Sequence, residues 1–554
     1  MKPRVLILGI DGADYSITKA LLVEGRLPNL AALAEGGAWG PVTSTIPPIT
    51  PPAWTTLMTG KNPGRHGVFD FLPMTGEAFD TPLALRRRSR TLWKALSDRG
   101  LRVGTHNLPV TYPPEQLSGF QVSGFDAPSF RPEMALPRQA FDVLQAAVGE
   151  YEVFPLSIQS PQGDPEAVKR HTEVPVAGTR ALLTAFPCDV YMVSFQVVDW
   201  VQHAALGREM TPGDPTSLAR DGVVAETYAL VDRCVGELLS EWAGEDTTVV
   251  VVSDHGGTAA DRLVNLEKLF LDRGLMAYKS SGEGDTSRLM AQRSRAEWAL
   301  RWWMRLKTAV PWAVQPLRAL ARRMRGRLAE YQQGLEIDWS LTRAAPWGEY
   351  AQVRLNVRGR DAEGVVEERD VPALAEEVAD LLSSLQDPTT GETIYEQVLA
   401  GRELYEGPYA ADGADVVALP RDERYLAVSA RQGVGSLPLL DVQPDPVVPL
   451  DPPWGVHAQR GVLFAAGPQI APGVQITDAA LADLVPTLLY LLDEAVPEDL
   501  DGRALLEIVR PEVVREREVR TGPPWPPPEA GAGAAYSAEE QAQIERRLRT
   551  LGYL

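Results

Sequence analysis

The chain of 554 residues has few cysteines, few histidines and no long apolar run. Its two cysteines, Cys188 and Cys234, cannot form a disulfide framework and indicate a reducing compartment. No segment is apolar over the length that a membrane-spanning helix needs. The excess of 74 acidic over 54 basic residues gives a net charge of -20, which argues against contact with nucleic acid. These shortages predict a globular, cytoplasmic protein that does not bind nucleic acid.

The amino-terminal residues look at first like a secretory signal, because a basic start precedes the apolar run 5–10. That run is short, and Asp11 and Asp14 follow it in place of a small-residue cleavage site. A buried parallel strand that ends at a functional aspartate is the better interpretation.

Short apolar runs alternate along the chain with patterns typical of amphipathic helices. This alternation predicts an α/β fold with a doubly wound, mostly parallel sheet and helices on both faces. The candidate strands are residues 5–10, 103–106, 190–195, 248–253 and 461–465. The candidate helices are residues 17–35, 53–58, 92–97, 223–241 and 478–492.

The length favours two domains, or one large domain that carries an insertion. We expect residues 1–260 to form the first part of a core and residues 451–521 to complete it. The stretch between them, approximately residues 261–450, is interpreted as an inserted cap. Residues 522–554 are expected to form a linker rich in proline, glycine and alanine, and then a short helix that begins with a capping box at residues 537–540.

Three of the six histidines, His203, His255 and His457, suit metal binding, and the first two stand near carboxylates. Asp199 and His203 are four residues apart and would share one face of a helical turn. Asp254 and His255 follow an apolar run, and the glycines after them allow a close backbone approach. For each pair, the structural alternative is a capping aspartate beside a buried, hydrogen-bonded histidine.

The aspartates of these pairs are expected to meet Asp11 at one edge of the sheet. Ligands of such sheets gather at the carboxyl ends of the strands, where Asp11, Asp199 and Asp254 are predicted to lie. His457, within Trp-Gly-Val-His, is a weak candidate by itself and gains weight only from the others. Carboxylates and imidazoles together suit a pair of divalent cations.

Thr50 is the candidate nucleophile. A threonine hydroxyl is a poor nucleophile unless a base or a metal activates it. Pro51 and Pro52 indicate the first turn of a helix, where a phosphate would meet free backbone N–H groups. The alternative is that Thr50 only caps this helix. The rival hydroxyls nearby are those of Thr43, Ser44 and Thr45.

Five motifs follow one another in a specific order along the chain. They are Gly9-Ile-Asp11-Gly12, then Thr50-Pro-Pro-Ala-Trp-Thr-Thr-Leu-Met-Thr-Gly60 with Pro63, His66 and Gly67, then Asp199-x-x-x-His203, Asp254-His255-Gly256 and Gly455-Val-His457. Together they resemble the alkaline phosphatase superfamily, and most closely its type I phosphodiesterase/nucleotide pyrophosphatase branch. Within that branch the chain is similar to a group of predicted phosphohydrolases and phosphomutases of bacteria and archaea.

The resemblance implies a metal-dependent phosphoric ester hydrolase, and it favours a phosphodiesterase that acts on a small phosphorylated substrate through a phosphothreonine intermediate. It implies one metal held by Asp11, Thr50, Asp254 and His255, and a second held by Asp199, His203 and His457. Zinc is usual in this family, and manganese is the alternative. The alternative functions are a phosphomonoesterase or phosphomutase, a phosphonate hydrolase, and a non-catalytic binding protein that kept the fold.

The kind of ester depends on positions that depart from the family pattern. Ala53 stands where the resemblance leads us to expect an asparagine that contacts a phosphate oxygen, and Asn62 and Asn107 are the candidates for that contact. A sulfatase is disfavoured, because no Cys/Ser-x-Pro-x-Arg stretch occupies the nucleophile position. His66 matches a family position that is not a metal ligand, and it is interpreted as structural or as a support for the ligands. His106 and His171 are interpreted as structural.

Residues 296–327 form a basic island, rich in tryptophan, within an acidic chain. This composition is typical of a helix that lies on anionic lipid, and it predicts contact with a membrane surface. The alternative is a cap helix that packs its tryptophans inward, and Pro311 and Pro316 interrupt any single long helix. Nothing in the sequence indicates an oligomeric state.

Overall fold

The computed structural model describes residues 2–73, 81–159, 164–279, 337–348, 350–428, 445–528 and 536–551. The chain divides into two compact units. The first contains Met1–Asp261, Arg402–Gly413 and Asp451–Leu551, and the second contains Arg262–Gly401 and Ala414–Leu450. The segment Arg402–Gly413 therefore packs in the first unit, although it falls within the region 261–450 that the sequence marks as an insertion.

The strands of the described residues are numbered in chain order. They are β1 (Val5–Ile10), β2 (Ala38–Thr43), β3 (Val103–Leu108), β4 (Phe120–Ser123), β5 (Ala135–Leu136), β6 (Val190–Phe195), β7 (Thr248–Val252), β8 (Gly256–Asn265), β9 (Ala344–Trp347), β10 (Gln352–Leu355), β11 (Tyr395–Ala400), β12 (Val416–Pro420), β13 (Tyr425–Val428), β14 (Val447–Ala458), β15 (Arg460–Ala466), β16 (Val474–Gln475), β17 (Val496–Pro497) and β18 (Thr521–Gly522).

A nine-stranded sheet forms the centre of the first unit, in the order β16-β2-β15-β7-β1-β6-β3-β4-β5. The neighbours β7, β1, β6, β3 and β4 run parallel to one another. Strand β15 lies antiparallel between β7 and β2. This sheet confirms the predicted α/β fold with a mostly parallel sheet.

Every residue of β1, β6 and β7 is buried, so both faces of the central sheet are covered. Their sequences VLILGI, VYMVSF and TVVVV consist mainly of aliphatic and β-branched residues, which suit strands packed on both faces. The strands predicted at residues 5–10 and 190–195 have the observed bounds, and the other predicted strands differ only at their ends.

The helices of the described residues surround these strands. They are Tyr15–Val23, Pro28–Gly36, Thr50–Thr59, Pro63–His66, Leu83–Arg86, Leu92–Asp98, Arg138–Val148, Pro165–Ala185, Val197–Val201, Gly207–Glu209, Val223–Trp242, Leu266–Asp272, Val371–Ser383, Gly401–Leu404, Leu484–Leu491, Pro511–Glu516 and Ala538–Leu551. A π-helical turn, Gln202–Leu206, continues the helix Val197–Val201.

The single helix predicted at residues 17–35 is wrong, because the chain forms two helices there. Gly25 adopts a left-handed φ of 73° after the first helix, and Pro28 opens the second. The helix predicted at residues 53–58 begins earlier, at Thr50. The helix predicted at residues 478–492 is shorter and spans Leu484–Leu491.

The second unit contains a four-stranded antiparallel sheet in the order β11-β12-β10-β9. The helix Val371–Ser383 contributes Leu374 and Val378 to a core that also contains Val353 and Val416. The amphipathic spacing of this helix explains its place, because its buried residues recur at helical intervals along one face.

The carboxyl-terminal helix Ala538–Leu551 packs in the first unit. Its start confirms the predicted capping box. The Ser537 N–H donates to the Glu540 carboxylate over 2.8 Å, and the Glu540 N–H donates to the Ser537 hydroxyl over 3.3 Å. Ile544 and Leu548 are buried on the inner face of the helix.

Two sequence predictions fall on residues that the structure does not describe in full. The linker expected before the last helix includes residues 529–535, which lie outside the described residues. The basic segment 296–327, predicted to contact a membrane surface, also lies outside them. In the part of the chain that the structure describes, no helix has the length and apolar character required to cross a membrane.

Candidate active site

The carboxyl ends of three neighbouring strands bring the predicted aspartates together. Strand β1 lies between β6 and β7, with Ile10 opposite Phe195 and Gly9 opposite Val252. Asp11 follows β1 directly, Asp199 lies in the short helix after β6, and Asp254 follows β7. Parallel strands that end side by side therefore place three carboxylates at one edge of the sheet.

The turn after β1 has a backbone conformation that brings these segments close together. Gly12 has a φ of +74°, and a β-carbon at this position would lie 2.8 Å from the Asp199 β-carbon. Its N–H donates to Asp254 Oδ1 over 3.2 Å. A side chain here would both strain the backbone and separate Asp11 from Asp199.

His255 is at the centre of a first group of polar side chains. Its Nε2 lies 3.4 Å from Thr50 Oγ1, 3.6 Å from Asp11 Oδ1 and 3.2 Å from Asp254 Oδ2. Its Nδ1 lies 2.9 Å from the Gly256 carbonyl oxygen, a contact that requires the proton on Nδ1. The lone pair on Nε2 therefore faces the hydroxyl and the two carboxylates.

Asp199, His203 and His457 form a second group next to the first. Asp199 Oδ1 lies 3.3 Å from His203 Nε2 and 3.6 Å from His457 Nε2. The π-helical turn that begins at Gln202 carries His203, and β14 carries His457. Ligand atoms of these three residues lie within 4.8 Å of one another, and so do those of Asp11, Asp199 and His255. Asp199 is therefore shared by both groups.

The electrostatics of the cluster favour a bound cation. Burial and the carboxylates of Asp254 and Asp199 raise the pKa of Asp11 well above its usual range. Burial, followed by the charge of Asp199, raises the pKa of Asp254 in the same way. Burial also acts to raise the pKa of Asp199, but the neighbouring imidazoles of His203 and His457 hold it well below its usual range. Burial, with the neighbouring His457, lowers the pKa of His255 to about 3.

Two carboxylate oxygens of the cluster, Asp11 Oδ1 and Asp254 Oδ2, are buried and take part in no hydrogen bond. The other oxygen of Asp11 accepts a hydrogen bond of 2.9 Å from Trp54 Nε1, which fixes the orientation of that carboxylate. Trp54 belongs to the threonine motif, but the sequence alone gave no reason to link it to Asp11. A buried oxygen without a donor is costly unless a cation or a solvent molecule meets it.

Thr50 is the first residue of the helix Thr50–Thr59 and is buried. The residue that caps this helix is Ile49, so the interpretation of Thr50 as a side-chain cap is wrong. The helix start also offers fewer free N–H groups to a phosphate than the sequence predicts. Pro51 and Pro52 have no amide hydrogen, and the Ala53 N–H donates to the Ile49 carbonyl oxygen.

The rival hydroxyls are used elsewhere or lie on the surface. Ser44 Oγ donates to the Asp254 carbonyl oxygen over 2.6 Å, and Thr45 Oγ1 donates to the Pro47 carbonyl oxygen over 2.8 Å. Thr43 is exposed. Thr50 is therefore the hydroxyl of this set that faces the carboxylate and imidazole cluster.

The two candidate asparagines have different surroundings. Asn62 caps the helix Pro63–His66, and its amide also bonds Glu406 and Asp501, so this side chain is committed to local structure. Asn107 follows His106 near the end of β3, where its Nδ2 donates to the Ser194 carbonyl oxygen and to Gln196. Asn107 thus lies at the carboxyl edge of the sheet, and Asn62 supports the segment after the Thr50 helix.

The other three histidines are buried away from the cluster. His66 Nδ1 accepts from the Val68 N–H and its Nε2 donates to Thr56, while His171 bonds two backbone carbonyl oxygens. Burial lowers the pKa of both His66 and His106 to about 3. The lowered pKa values favour neutral side chains for His66 and His106.

Comparisons with known proteins agree with this geometry. A profile of the type I phosphodiesterase/nucleotide pyrophosphatase family matches residues 5–437. No curated protein sequence matches the chain. The structure of phosphonoacetate hydrolase from Sinorhizobium meliloti 1021, in complex with phosphonoformate, is 17% identical over 89% of this chain and 96% of that chain, with a TM-score of 0.51. Murine ectonucleotide pyrophosphatase/phosphodiesterase 5 is 14% identical over 92% of this chain and 100% of that chain, with a TM-score of 0.48.

The likeness to the phosphonoacetate hydrolase, at this low identity, shows the fold alone. The family match covers most of the chain and includes Asp11, Thr50 and the Asp199 and Asp254 segments. The chain therefore belongs to the type I phosphodiesterase/nucleotide pyrophosphatase family of the alkaline phosphatase superfamily, and it is an enzyme that hydrolyses phosphoryl compounds.

Proposed function

We propose that this enzyme is a phosphodiesterase with two divalent metal ions, and that Thr50 is its nucleophile. The observation that carries the proposal is the convergence of the Thr50 hydroxyl and of carboxylate oxygens from Asp11 and Asp254 on His255 Nε2. Groups of this kind repel one another, so their burial at one point favours a cation between them.

The residues present fit such ions. Asp11 Oδ1 and Asp254 Oδ2 take part in no hydrogen bond, and among the described residues the cluster's carboxylates form ion pairs with histidines alone. Mixed carboxylate and imidazole ligands suit zinc, which we propose, and also manganese. One ion would be held by Asp11, Thr50, Asp254 and His255, and the other by Asp199, His203 and His457.

Such ions supply charge stabilisation to the phosphoryl oxygens and favour the deprotonated form of an alcohol. The chain itself positions the reacting group. The helix start presents Thr50 Oγ1 3.4 Å from His255 Nε2, and Trp54 fixes the neighbouring Asp11. We propose that Thr50 Oγ1 attacks phosphorus and displaces one alcohol, which takes up the proton that the hydroxyl loses. The threonine then carries the phosphoryl group with its remaining ester. Water attacks this phosphorus from the side opposite Thr50, the phosphate monoester leaves, and the threonine hydroxyl is restored with a proton from the water.

The substrate is proposed to be a small phosphorylated molecule. The net charge of -20 disfavours a nucleic acid. The cytoplasmic location of the protein stays a prediction. The contact of residues 296–327 with a membrane surface also stays a prediction. Phosphonates are the second substrate class on this scaffold, because the similar structure from Sinorhizobium meliloti is of a phosphonoacetate hydrolase. Monoester hydrolysis and a phosphomutase reaction would use the same nucleophile.

The test is hydrolysis of bis-p-nitrophenyl phosphate and p-nitrophenyl phosphate by the metal-reconstituted full chain and by Thr50→Ala. We expect faster turnover of the diester and a loss of at least about 1,000-fold in Thr50→Ala, because a catalytic nucleophile is removed. Thr59→Ala is the matched control. It lies on the same buried helix, its hydroxyl donates to the Thr55 carbonyl oxygen, and the variant should stay active.

The outcomes of this test separate the candidate functions. Full activity in Thr50→Ala would reject the nucleophile. Faster turnover of the monoester would favour a phosphatase or mutase over a phosphodiesterase as the function. Metal binding without turnover of either ester would indicate that a specific substrate is required. If the protein bound no metal and hydrolysed neither ester, a non-catalytic binding protein would be favoured.

A further inference from the structure

Gln202 is a buried polar residue immediately before His203, and the mechanism above does not use it. It begins the π-helical turn Gln202–Leu206, so its side chain leaves the helix where the regular spacing changes. π-Helical turns interrupt a helix at a cost and occur frequently at functional sites. The side-chain amide of Gln202 lies where it can connect this turn to another segment of the site.

The Gln202 amide joins the segment that carries His203 to the segment that carries Asp11. Its Nε2 donates to the Gly12 carbonyl oxygen over 2.6 Å. Its Oε1 accepts from the Tyr228 hydroxyl over 3.3 Å. The same hydroxyl accepts from the Asp14 N–H over 2.9 Å, so both sides of the β1 turn are held.

Two further ligand segments approach Gln202 at glycine residues. A β-carbon at Gly257, two residues after His255, would lie 2.6 Å from Gln202 Oε1. A β-carbon at Gly455, two residues before His457, would lie 1.9 Å from the Gln202 carbonyl oxygen. A side chain at either position would displace its segment from Gln202.

The four segments that carry Asp11, His203, His255 and His457 thus meet around one residue. The hydrogen bond to Gly12 links the backbone segments of the two ligand groups, because Gly12 follows Asp11 and Gln202 precedes His203. We propose that Gln202 is a positioning residue that sets the separation of the two groups and thereby pairs the two metal ions. This inference rests on the proposed two-metal function.

The expected consequence is specific to the pair of ions. Without the amide, each group keeps its own side chains, but the turn after β1 and the π-helical turn are free to move apart. Residues that orient ligands from behind change metal affinity about 10- to 100-fold when they are replaced. Affinity for the second ion should fall by that factor, and the ions that do bind should no longer be coupled.

The test uses Gln202→Met in the full chain, because methionine keeps the length of the side chain and removes both hydrogen bonds. The metal-free protein is titrated with Mn²⁺, bound metal is counted by mass spectrometry, and the electron paramagnetic resonance spectrum is recorded. Wild-type protein should bind two ions with a spin-coupled spectrum. Gln202→Met should bind the second ion about 10- to 100-fold more weakly and show the spectrum of isolated Mn²⁺.

Gln121→Met is the matched control. Gln121 is also buried in the first unit, and its amide bonds Thr105 Oγ1 and the Glu115 N–H. It should lower the melting temperature to a similar extent and keep the coupled spectrum. A coupled spectrum with unchanged Mn²⁺ affinity in Gln202→Met would overturn the inference, and so would a loss of coupling in Gln121→Met of the same size.

Tyr228→Phe keeps the test decisive if Gln202→Met does not fold. It removes the hydroxyl that holds Gln202 Oε1 and keeps the aromatic ring, so a smaller loss of affinity for the second ion is expected, and unchanged affinity would overturn the inference. The wild-type titration distinguishes a failure of this inference from a failure of the proposed two-metal function. Wild-type protein that binds no Mn²⁺ pair would reject the two-metal centre itself, and the inference with it.

Discussion

Partly buried carboxylates of the second unit pair with arginines, whereas fully buried carboxylates at the carboxyl edge of the large sheet face one another. Asp361 receives hydrogen bonds of 3.0 Å from both Arg354 and Arg360, and Asp415 receives one of 2.6 Å from Arg360. Asp11 and Asp254 each keep a buried oxygen without a hydrogen bond. The first arrangement neutralises charge within the protein, and the second leaves charge for a cation to neutralise.

This difference separates scaffold from site by chemistry. Both units bury acidic groups, so burial alone does not identify the functional carboxylates. The partners differ between the two sets. Arginines pair with Asp361 and Asp415, whereas imidazole nitrogens and other carboxylates surround Asp11, Asp199 and Asp254. Substitutions that change one kind of group at a time test this distinction.

The largest effect is expected from Asp254→Asn, which removes one charge from the unneutralised cluster. Hydrolysis of the preferred ester should fall about 1,000-fold or more, because an anionic ligand is lost. In chelator, the variant should be at least as stable as the wild-type chain, because repulsion with Asp11 and Asp199 is relieved. Turnover and urea unfolding in EDTA measure both effects, and a clear loss of stability in EDTA would contradict the comparison.

Asp361→Asn tests the opposite kind of carboxylate. It removes the negative charge that faces the buried guanidinium of Arg354, so the free energy of unfolding should fall by about 2 kcal/mol. The metal content should equal that of the wild-type chain, because Asp361 belongs to the second unit. Thermal unfolding and metal analysis are the measurements, and a loss of metal would show that paired carboxylates also support the site.

His106→Leu tests whether a buried polar side chain without a hydrogen-bond partner can lie outside the site. Neither ring nitrogen of His106 has a hydrogen-bond partner, and burial lowers its pKa from 6.5 to about 3. Below pH 6.5 the unfolded chain binds a proton that the folded chain does not, so stability falls as the pH falls. At pH 5, proton binding to His106 in the unfolded chain lowers the free energy of unfolding of the wild-type chain by about 2 kcal/mol. Between pH 7 and pH 5, the variant should therefore lose about 2 kcal/mol less stability than the wild-type chain does.

Urea unfolding in EDTA at the two pH values measures this difference, and the metal content serves as the control. We expect His106→Leu to keep the metal content, since His106 lies away from the cluster. His66 and His255 contribute with the same sign, so the variant keeps part of the pH dependence. An unchanged pH dependence would show that His106 is not a neutral buried group in the folded protein.

The smallest effect is expected for a surface pair in the first unit. Arg180 contacts Glu237 and Glu241 at 2.7 and 2.6 Å, and its side chain is 44% exposed. Arg180→Met should change the free energy of unfolding by less than about 1 kcal/mol, because solvent screens exposed pairs. The same urea titration measures it, and a loss as large as that of Asp361→Asn would remove the distinction between surface and buried pairs.

The sequence was sufficient for the central strands of the large sheet and for the aspartates near their carboxyl ends, because both depend on local signals. The apolar runs of β1 and β6 are bounded by polar residues, and aspartates follow them. The direction of β15 was not predictable, since an apolar run is the same for a parallel and an antiparallel neighbour. The break between Tyr15–Val23 and Pro28–Gly36 was visible in Gly25 and Pro28, and the helical pattern across them was given too much weight.

Other features depend on contacts between distant segments. Asp199 is shared by both groups because Gly12 lets the β1 turn approach it, and no spacing in the sequence encodes that contact. The roles of Trp54 and Gln202 likewise follow from hydrogen bonds to Asp11 and Gly12. Asn62 was a reasonable candidate by its place near Thr50, but its amide is used within a helix cap.

The most direct measurement is the metal content of the purified full chain, reconstituted with Zn²⁺ or Mn²⁺, freed of loosely bound ions and analysed by mass spectrometry. The unneutralised carboxylates at the sheet edge predict two ions per chain, with fewer in Asp254→Asn and the full number in Asp361→Asn. A chain that binds no divalent ion, or an Asp254→Asn variant that binds as many as the wild-type chain, would contradict the assignment of this cluster as a two-metal centre.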